Sequence, residues 1–197
     1  MTTQLNRRHR RSFGLAVAAL LGAVGATACG AGAGGVKTTT TPANARAPLT
    51  LGQPSPEEQE ISRYDKTGRF LITPKKVVEG TSEDLRELGD DAKYKNQKIV
   101  WVYVNVHHVG GETVKGPMVM TDIGAETAAG GKATRLILMG YLNSRPRDCF
   151  GEDTEAPSKQ GDSRTVCAPY LIPGSATVKK VTYFQGYYNK PLAWKVP

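Results

Sequence analysis

Four groups of residues in this 197-residue chain are of types that could do chemistry. Cys29, Cys149 and Cys167 can carry a thioether, a disulfide or a reactive thiolate. A reactive thiolate needs a base held beside it, and after position 29 the only histidines are His107 and His108. Neighbouring residues on a strand point to opposite faces, so these two rings cannot grip one metal together. Between the later cysteines lie Glu152, Asp153, Glu155 and Asp162. They offer the oxygen ligands that calcium takes, but their spacing matches no calcium loop, and they read as an exposed charged loop. Tyr183, Phe184, Tyr187, Tyr188 and Trp194 form the densest aromatic group. Such side chains stack on sugar rings or anchor a protein partner, and in a β-rich domain most of them fill the core. Ser-x-x-Lys, Gly-x-Ser-x-Gly, His-Glu-x-x-His and a phosphate-cradling glycine loop are all missing, so no catalytic residue, metal or cofactor is expected.

The first cysteine sits in a context of its own. Arg7, Arg8, Arg10 and Arg11 form a basic cluster, and residues 13–28 carry no charge. As a helix at about 1.5 Å per residue that run spans roughly 24 Å, short of the ~30 Å hydrocarbon core, which argues against a permanent transmembrane anchor. Ala26-Thr27-Ala28 then sets small residues before Cys29. The arrangement resembles a bacterial lipoprotein export signal, in which residues 1–28 are removed and Cys29 takes the lipid. Ala26 stands where such signals usually have leucine, and an ordinary small-x-small cleavage leading to plain secretion cuts the same bond. Arg10-Arg11-Ser12-Phe13 also resembles the core of a twin-arginine signal, although adjacent arginines are common in any basic leader.

Charge and cysteine count agree with export. The chain has 26 basic and 18 acidic residues, a formal net charge of +8; the leader holds four of the basic residues and none of the acidic ones, so its removal leaves +4. An excess that small and unclustered excludes a nucleic-acid binder. Lipid on Cys29 accounts for the odd cysteine in an oxidising compartment and leaves Cys149 and Cys167 as a disulfide pair.

The elements that must position these groups follow from the patterning. Residues 29–62 are rich in Gly, Ala, Thr and Pro and end in Pro-Ser-Pro-Glu-Glu-Gln-Glu, so behind the lipidated cysteine they read as a disordered tether. Residues 63–197 are long enough for one domain with its own core. Apolar runs broken by Gly and Pro predict strands at 70–78 with a break at Pro74, 98–107, 118–123, 134–139, 166–172, 178–185 and 192–196. Together they describe an all-β, antiparallel sandwich of about seven strands. One short helix is predicted over 82–88, capped by Ser82, with Glu83 and Asp84 in its first turn and Gly89 ending it. Val100, Val102, Val104 and Val106 share a core face, while Ile99, Trp101, Tyr103 and Asn105 lie on the other, expected to be half covered. Tyr187 and Tyr188 follow a strand at Gly186, in a turn where two adjacent rings cannot easily both be buried. They are the expected partner contact.

The order of the 98–106 strand, the glycine turn, Leu171-Ile172-Pro173-Gly174 leading into Val181-Thr182-Tyr183-Phe184, and a closing Leu192-Ala193-Trp194 resembles the telokin-like, immunoglobulin-like domains of unknown function on bacterial surface lipoproteins. The resemblance spans residues 98–197. It implies an immunoglobulin-like sandwich, extracytoplasmic placement and no established catalytic residues. The expectation is therefore a protein held on the extracytoplasmic face of the cell membrane by its N-terminal lipid, a non-enzymatic binding or interaction module for an envelope protein or wall polymer. A wall-acting envelope enzyme and a structural accessory subunit are the competing classes. An enzyme is expected to converge ionisable groups in a cleft, a binding module to expose an aromatic or charged patch without them.

Overall fold

The structure, a computed structural model, describes residues 48–89, 92–140, 142–187 and 189–197. The leader, Cys29, the tether as far as residue 47, and Tyr188 lie outside the described residues. In chain order the strands are β1 (Leu49–Thr50), β2 (Gln59–Arg63), β3 (Lys66–Glu79), β4 (Gln97–Gly111), β5 (Val114–Lys115), β6 (Ile123–Thr127), β7 (Thr134–Arg135), β8 (Pro157–Ser158), β9 (Ser163–Pro173), β10 (Val178–Tyr183) and β11 (Leu192–Lys195). They form a sheet of order β2-β3-β4-β9-β7, a facing sheet β1-β11-β10-β6 and a ribbon β5-β8. Every pairing is antiparallel except β1 on β11, so the all-β sandwich class holds with one parallel edge.

The valine alternation of β4 sets the core. Val100, Val102, Val104 and Val106 face inward with Phe70 and Ile72 of β3 and with Val166, Ala168, Tyr170 and Ile172 of β9. Val178, Val181, Tyr183, Leu192 and Trp194 of the other sheet close over them. The opposite face of β4 differs from the expected half cover. Ile99, Trp101 and Tyr103 are fully buried in a second core with Leu85, Leu142, Cys149, Cys167 and Leu171. The long excursion between β7 and β8 folds back over that face and supplies the lid that alternation within one strand cannot reveal.

Several element boundaries need correction. The folded part reaches back through residues 48–62, which the sequence reading assigned to the tether. β2 pairs with β3 across a two-residue turn, Tyr64 and Asp65, both left-handed at φ 49° and 62°. Tertiary bonds hold the segment before it: Gly52 N–H donates to the Pro74 carbonyl (2.8 Å), the Trp194 indole N–H to the Gln53 carbonyl (2.8 Å), and Ile72 N–H to Ser55 Oγ (3.2 Å). Strand β3 runs through Pro74 rather than breaking there, because a register shift between Pro74 and Lys76 absorbs the missing donor. Residues 118–121 are not strand. Met118 is left-handed (φ 56°), Val119–Thr121 is a 3-10 turn, and β6 begins at Ile123. Of the run 134–139 only Thr134–Arg135 is paired; Leu136 and Leu138 pack on the second core while Ile137 and Met139 are exposed. The helix at Glu83–Leu88 is 3-10, ended by left-handed Gly89, and Ser82 makes no side-chain cap; Asp84 instead accepts the Thr81 N–H at 2.6 Å.

Candidate binding cleft

The turn between β10 and β11 builds the most exposed aromatic feature. Strand β10 ends at Tyr183, whose ring is in the core. Phe184 N–H then donates to the Asp122 carbonyl (2.8 Å), continuing the β10–β6 register one step past Tyr183–Ile123, and the turn begins after it. Gly186 adopts φ 87°, a conformation that a side chain would strain, and Asn189 Nδ2 donates to the Gln185 carbonyl (3.1 Å) to close the turn. Tyr187 is 95% exposed and Phe184 41%, and they meet edge to face at 5.7 Å. An aromatic pair held outside the core by its own turn offers rigid apolar area to a partner.

Beside this pair lies a cleft of about 570 Å³. Glu57, Glu58, Gln59 and Glu60 make one wall; Asp122, Tyr183, Phe184, Gln185, Gly186 and Asn189 make the other. Gln59 fastens the walls together: its Nε2 donates to the Glu57 carbonyl (2.8 Å) and its Oε1 accepts from Gln185 Nε2 (2.7 Å). A neighbouring cleft of about 290 Å³ shares Glu60, Asp122 and Tyr183 and continues along Ile61, Ser62 and Arg63. The electrostatics are those of an acidic groove. Partial burial raises the Asp122 pKa although the residue is still open to solvent, and burial together with the Asp122 charge pushes the Tyr183 phenol up to about 12. Glu58 is engaged by Arg69 at 2.9 Å, both side chains about half exposed, an ion pair of small net worth.

The other sequence candidates do not converge on a site. Cys149 and Cys167 are joined as a disulfide, Cα atoms 5.1 Å apart, inside the second core. Each acidic residue of the segment between them has a partner of its own. Glu152 accepts Met120 N–H (3.0 Å), Asp153 accepts Glu155 and Ala156 N–H, Glu155 pairs with Lys115, and Asp162 accepts Lys159 N–H. Among the described residues no group of three or more His, Cys, Asp or Glu side chains is arranged to hold a metal. His108 is fully buried and stacks on Phe70 at 4.4 Å. Its Nδ1 and Nε2 face the Ser158 and Gly110 carbonyls at 3.0 and 2.8 Å, so neither nitrogen is open to a ligand. His107, partly exposed, sets Nδ1 3.2 Å from the Asp162 carbonyl. On the outer face, Tyr103 OH and Lys76 Nζ both bond Asp148, at 2.7 and 2.6 Å, a local set that closes the edge of the second core. The cavity near Glu152, lined also by Val106, Arg164 and Val166, is about 30 Å³, room for little more than water.

No family model matches the chain, and no curated protein does. Among solved structures it is similar to MPT63, a secreted protein from Mycobacterium tuberculosis, at 16% identity over 76% of this chain and 98% of that one, with a TM-score of 0.46. It is also similar to a candidate lipoprotein from Staphylococcus aureus, at 11% identity over 71% and 93%, with a TM-score of 0.45.

The sequence singles out Tyr187 in its turn and includes Phe184, which lines the cleft, in the densest aromatic group, but it does not single out Asp122 or the acidic wall. The signal for that wall was present in Glu57, Glu58 and Glu60, an acidic run in a basic chain, and it was absorbed into the tether.

Glu152 supplies a pH test. Burial raises its carboxyl above the ordinary 4.5, with the Met120 bond and the Arg135 charge opposing. A carboxyl raised in the folded state binds more protons folded than unfolded, so its contribution to stability falls as pH climbs from the ordinary value through the raised one. Asp122 acts with the same sign. Glu87, Glu112 and Asp148 are lowered, first of all by the Asn143 amide, by Lys66 and by Lys76 respectively. Their contribution is present above the ordinary value and is lost as pH falls through the lowered one. Glu152→Gln keeps an acceptor for Met120 and removes one titration. Melting temperature as a function of pH is expected to decline less steeply above pH 4.5 in the variant than in the parent; superimposable profiles would count against it.

Proposed function

We propose that this chain is a lipid-anchored extracytoplasmic binding module without catalytic activity, engaging a component of the cell envelope through the cleft beside Phe184 and Tyr187. The observation that carries the reading is the exposed edge-to-face aromatic pair, of which Phe184 lines the acidic groove. Tyr187 is 95% exposed and Phe184 41%, in a turn shaped by Gly186 and closed by the Asn189–Gln185 bond. The ionisable groups along the groove are carboxylates and the buried Tyr183 phenol, a set that supplies charge and stacking rather than a nucleophile with its base. Anchoring rests on the leader and on Cys29. Two acyl chains give stable membrane attachment where one is marginal.

The test is a pull-down of the intact processed protein from envelope extracts, with Phe184→Ala/Tyr187→Ala as the comparison. Capture of the partner is expected to fall at least about tenfold, the range of interface anchors, while the melting temperature moves by no more than about 2 °C. Undiminished capture, or a large loss of stability, means that these rings are packing residues. The mass of the N-terminal peptide from the same preparation reads whether Cys29 carries acyl chains.

A further inference from the structure

We infer that the cleft takes a basic, extended peptide segment of a protein partner, which adds as a new strand on the free edge of β2. This rests on the reading of the cleft as a contact surface and names what fills it.

β2 is the outermost strand of its sheet, and among the described residues its backbone pairs with β3 alone. The two-residue turn at Tyr64-Asp65 makes Arg63 and Lys66 the hydrogen-bonded closing pair, so by the alternation of antiparallel ladders Ile61 and Gln59 also bond to β3. The backbone N–H and C=O of Glu60 and Ser62 therefore point away from the sheet, and no described residue bonds them. The 290 Å³ cleft runs along Glu60 to Arg63, with Pro117, Met118 and Thr121 across from them, and it opens into the larger cleft at Asp122. The cleft therefore has the unpaired ladder groups of β2 on one side and side-chain walls on the other. That is the geometry of strand addition, in which backbone bonds give affinity and the walls select alternate side chains.

Charge chooses among occupants. Glu57, Glu58, Glu60 and Asp122 line the paired clefts, with Arg63 at the far end, in a chain whose formal net charge is +8. Acidic side chains on an edge strand repel a second copy of the same edge and discourage indiscriminate pairing. They attract a strand whose alternate residues are Lys or Arg, and the Phe184–Tyr187 pair adds a surface on which such cations stack.

The probe is a labelled peptide of about nine residues alternating lysine with valine, long enough at roughly 3.3 Å per residue to run past β2. Its controls are the glutamate counterpart and a version N-methylated at alternate amides, and binding to the full chain is read by fluorescence anisotropy. The lysine peptide is expected to bind, to weaken as salt rises, and to bind about tenfold better than either control. Glu60→Lys, at an exposed position, is expected to weaken it by a similar factor while leaving the melting temperature unchanged. Equal binding of the N-methylated peptide, insensitivity to Glu60→Lys, concentration-dependent self-association at this edge, or sedimentation with purified wall polymer that the peptide does not displace would each overturn the inference. If the peptides fail while the Phe184/Tyr187 variant still loses partner capture, the occupant is wrong and the contact surface stands. If capture ignores Phe184 and Tyr187, the contact surface itself is wrong.

Discussion

Replacing Cys149 and Cys167 together by alanine is expected to destabilise the protein by about 3 kcal/mol, the loop-closure value for a bridge of this span. The bridge spans 18 residues. At about 2–4 °C per kcal/mol for a domain of this size, the melting temperature falls by roughly 6–12 °C. Both half-cystines are buried in the second core, so lost packing adds to the loop-closure value. Cys167 lies on β9 opposite Tyr103, and its N–H donates to the Phe150 carbonyl at 2.7 Å. Arg145 Nε bonds the Cys149 carbonyl at 2.7 Å, and Glu87 accepts the Asn143 and Ser144 N–H groups at 2.6 and 3.0 Å. Without the bridge the excursion over Ile99, Trp101 and Tyr103 keeps only these polar contacts and the packing of Leu136, Leu138 and Leu142, so the loss falls chiefly on this cover. Thermal unfolding of the variant under non-reducing conditions, with hydrogen exchange at residues 142–150, checks this. A shift below 2 °C with unchanged exchange would mean that the second core holds itself together.

How far the fold was legible follows from which residues carried local information. β4 could be read because Val100 to Val106 alternate without interruption, and alternation fixes the faces of a strand whatever covers them. What covers the second face could not be read, since Leu85, Leu142 and Cys149 reach it through long-range packing. β2 was illegible for a local reason: Gln-Glu-Ile-Ser-Arg is an edge strand with one apolar residue, and its turn uses Tyr64 and Asp65 at left-handed φ where Asn-Gly is the usual signal. Residues 134–139 misled in the opposite sense. Leu136 and Leu138 do alternate with Ile137 and Met139, but beyond Arg135 that alternation packs a covering loop and not a paired strand. At the cleft, Gly186 announced the exposed turn and so Tyr187. The walls come from residues 57–60 and from Asp122, far apart in sequence, and long-range contacts such as the β2–β3 pairing, the Gln59–Gln185 bond and the Phe184–Asp122 bond bring them together.

Trp194 is where the larger loss is expected. Its side chain is fully buried at the centre of the main core, paired across the sheet with Val181 and with Leu49. Truncation of a buried tryptophan to alanine costs about 3–5 kcal/mol, enough to lower the melting temperature by about ten degrees or more. Trp194→Phe separates two contributions. Phenylalanine refills much of the volume but cannot donate to the Gln53 carbonyl, which then stays without the bond that the indole N–H makes at 2.8 Å. That bond is one of the ties on residues 48–55, alongside Gly52 N–H to Pro74 and Ser55 N–H to Ile72, both 2.8 Å. The segment leads directly into Glu57, Glu58 and Glu60, so its hold on β11 and β3 also sets the acidic wall of the cleft. The phenylalanine variant is expected to lose about 0.5–1.5 kcal/mol, the net worth of one hydrogen bond whose carbonyl can turn to water at exposed Gln53, with faster amide exchange concentrated at Gly52 and Ser55. The β4–β9 ladder, remote from this bond, is expected to keep its protection. Acceleration spread evenly across both sheets would show that the indole acts through bulk packing alone and that the acidic wall is positioned by other contacts.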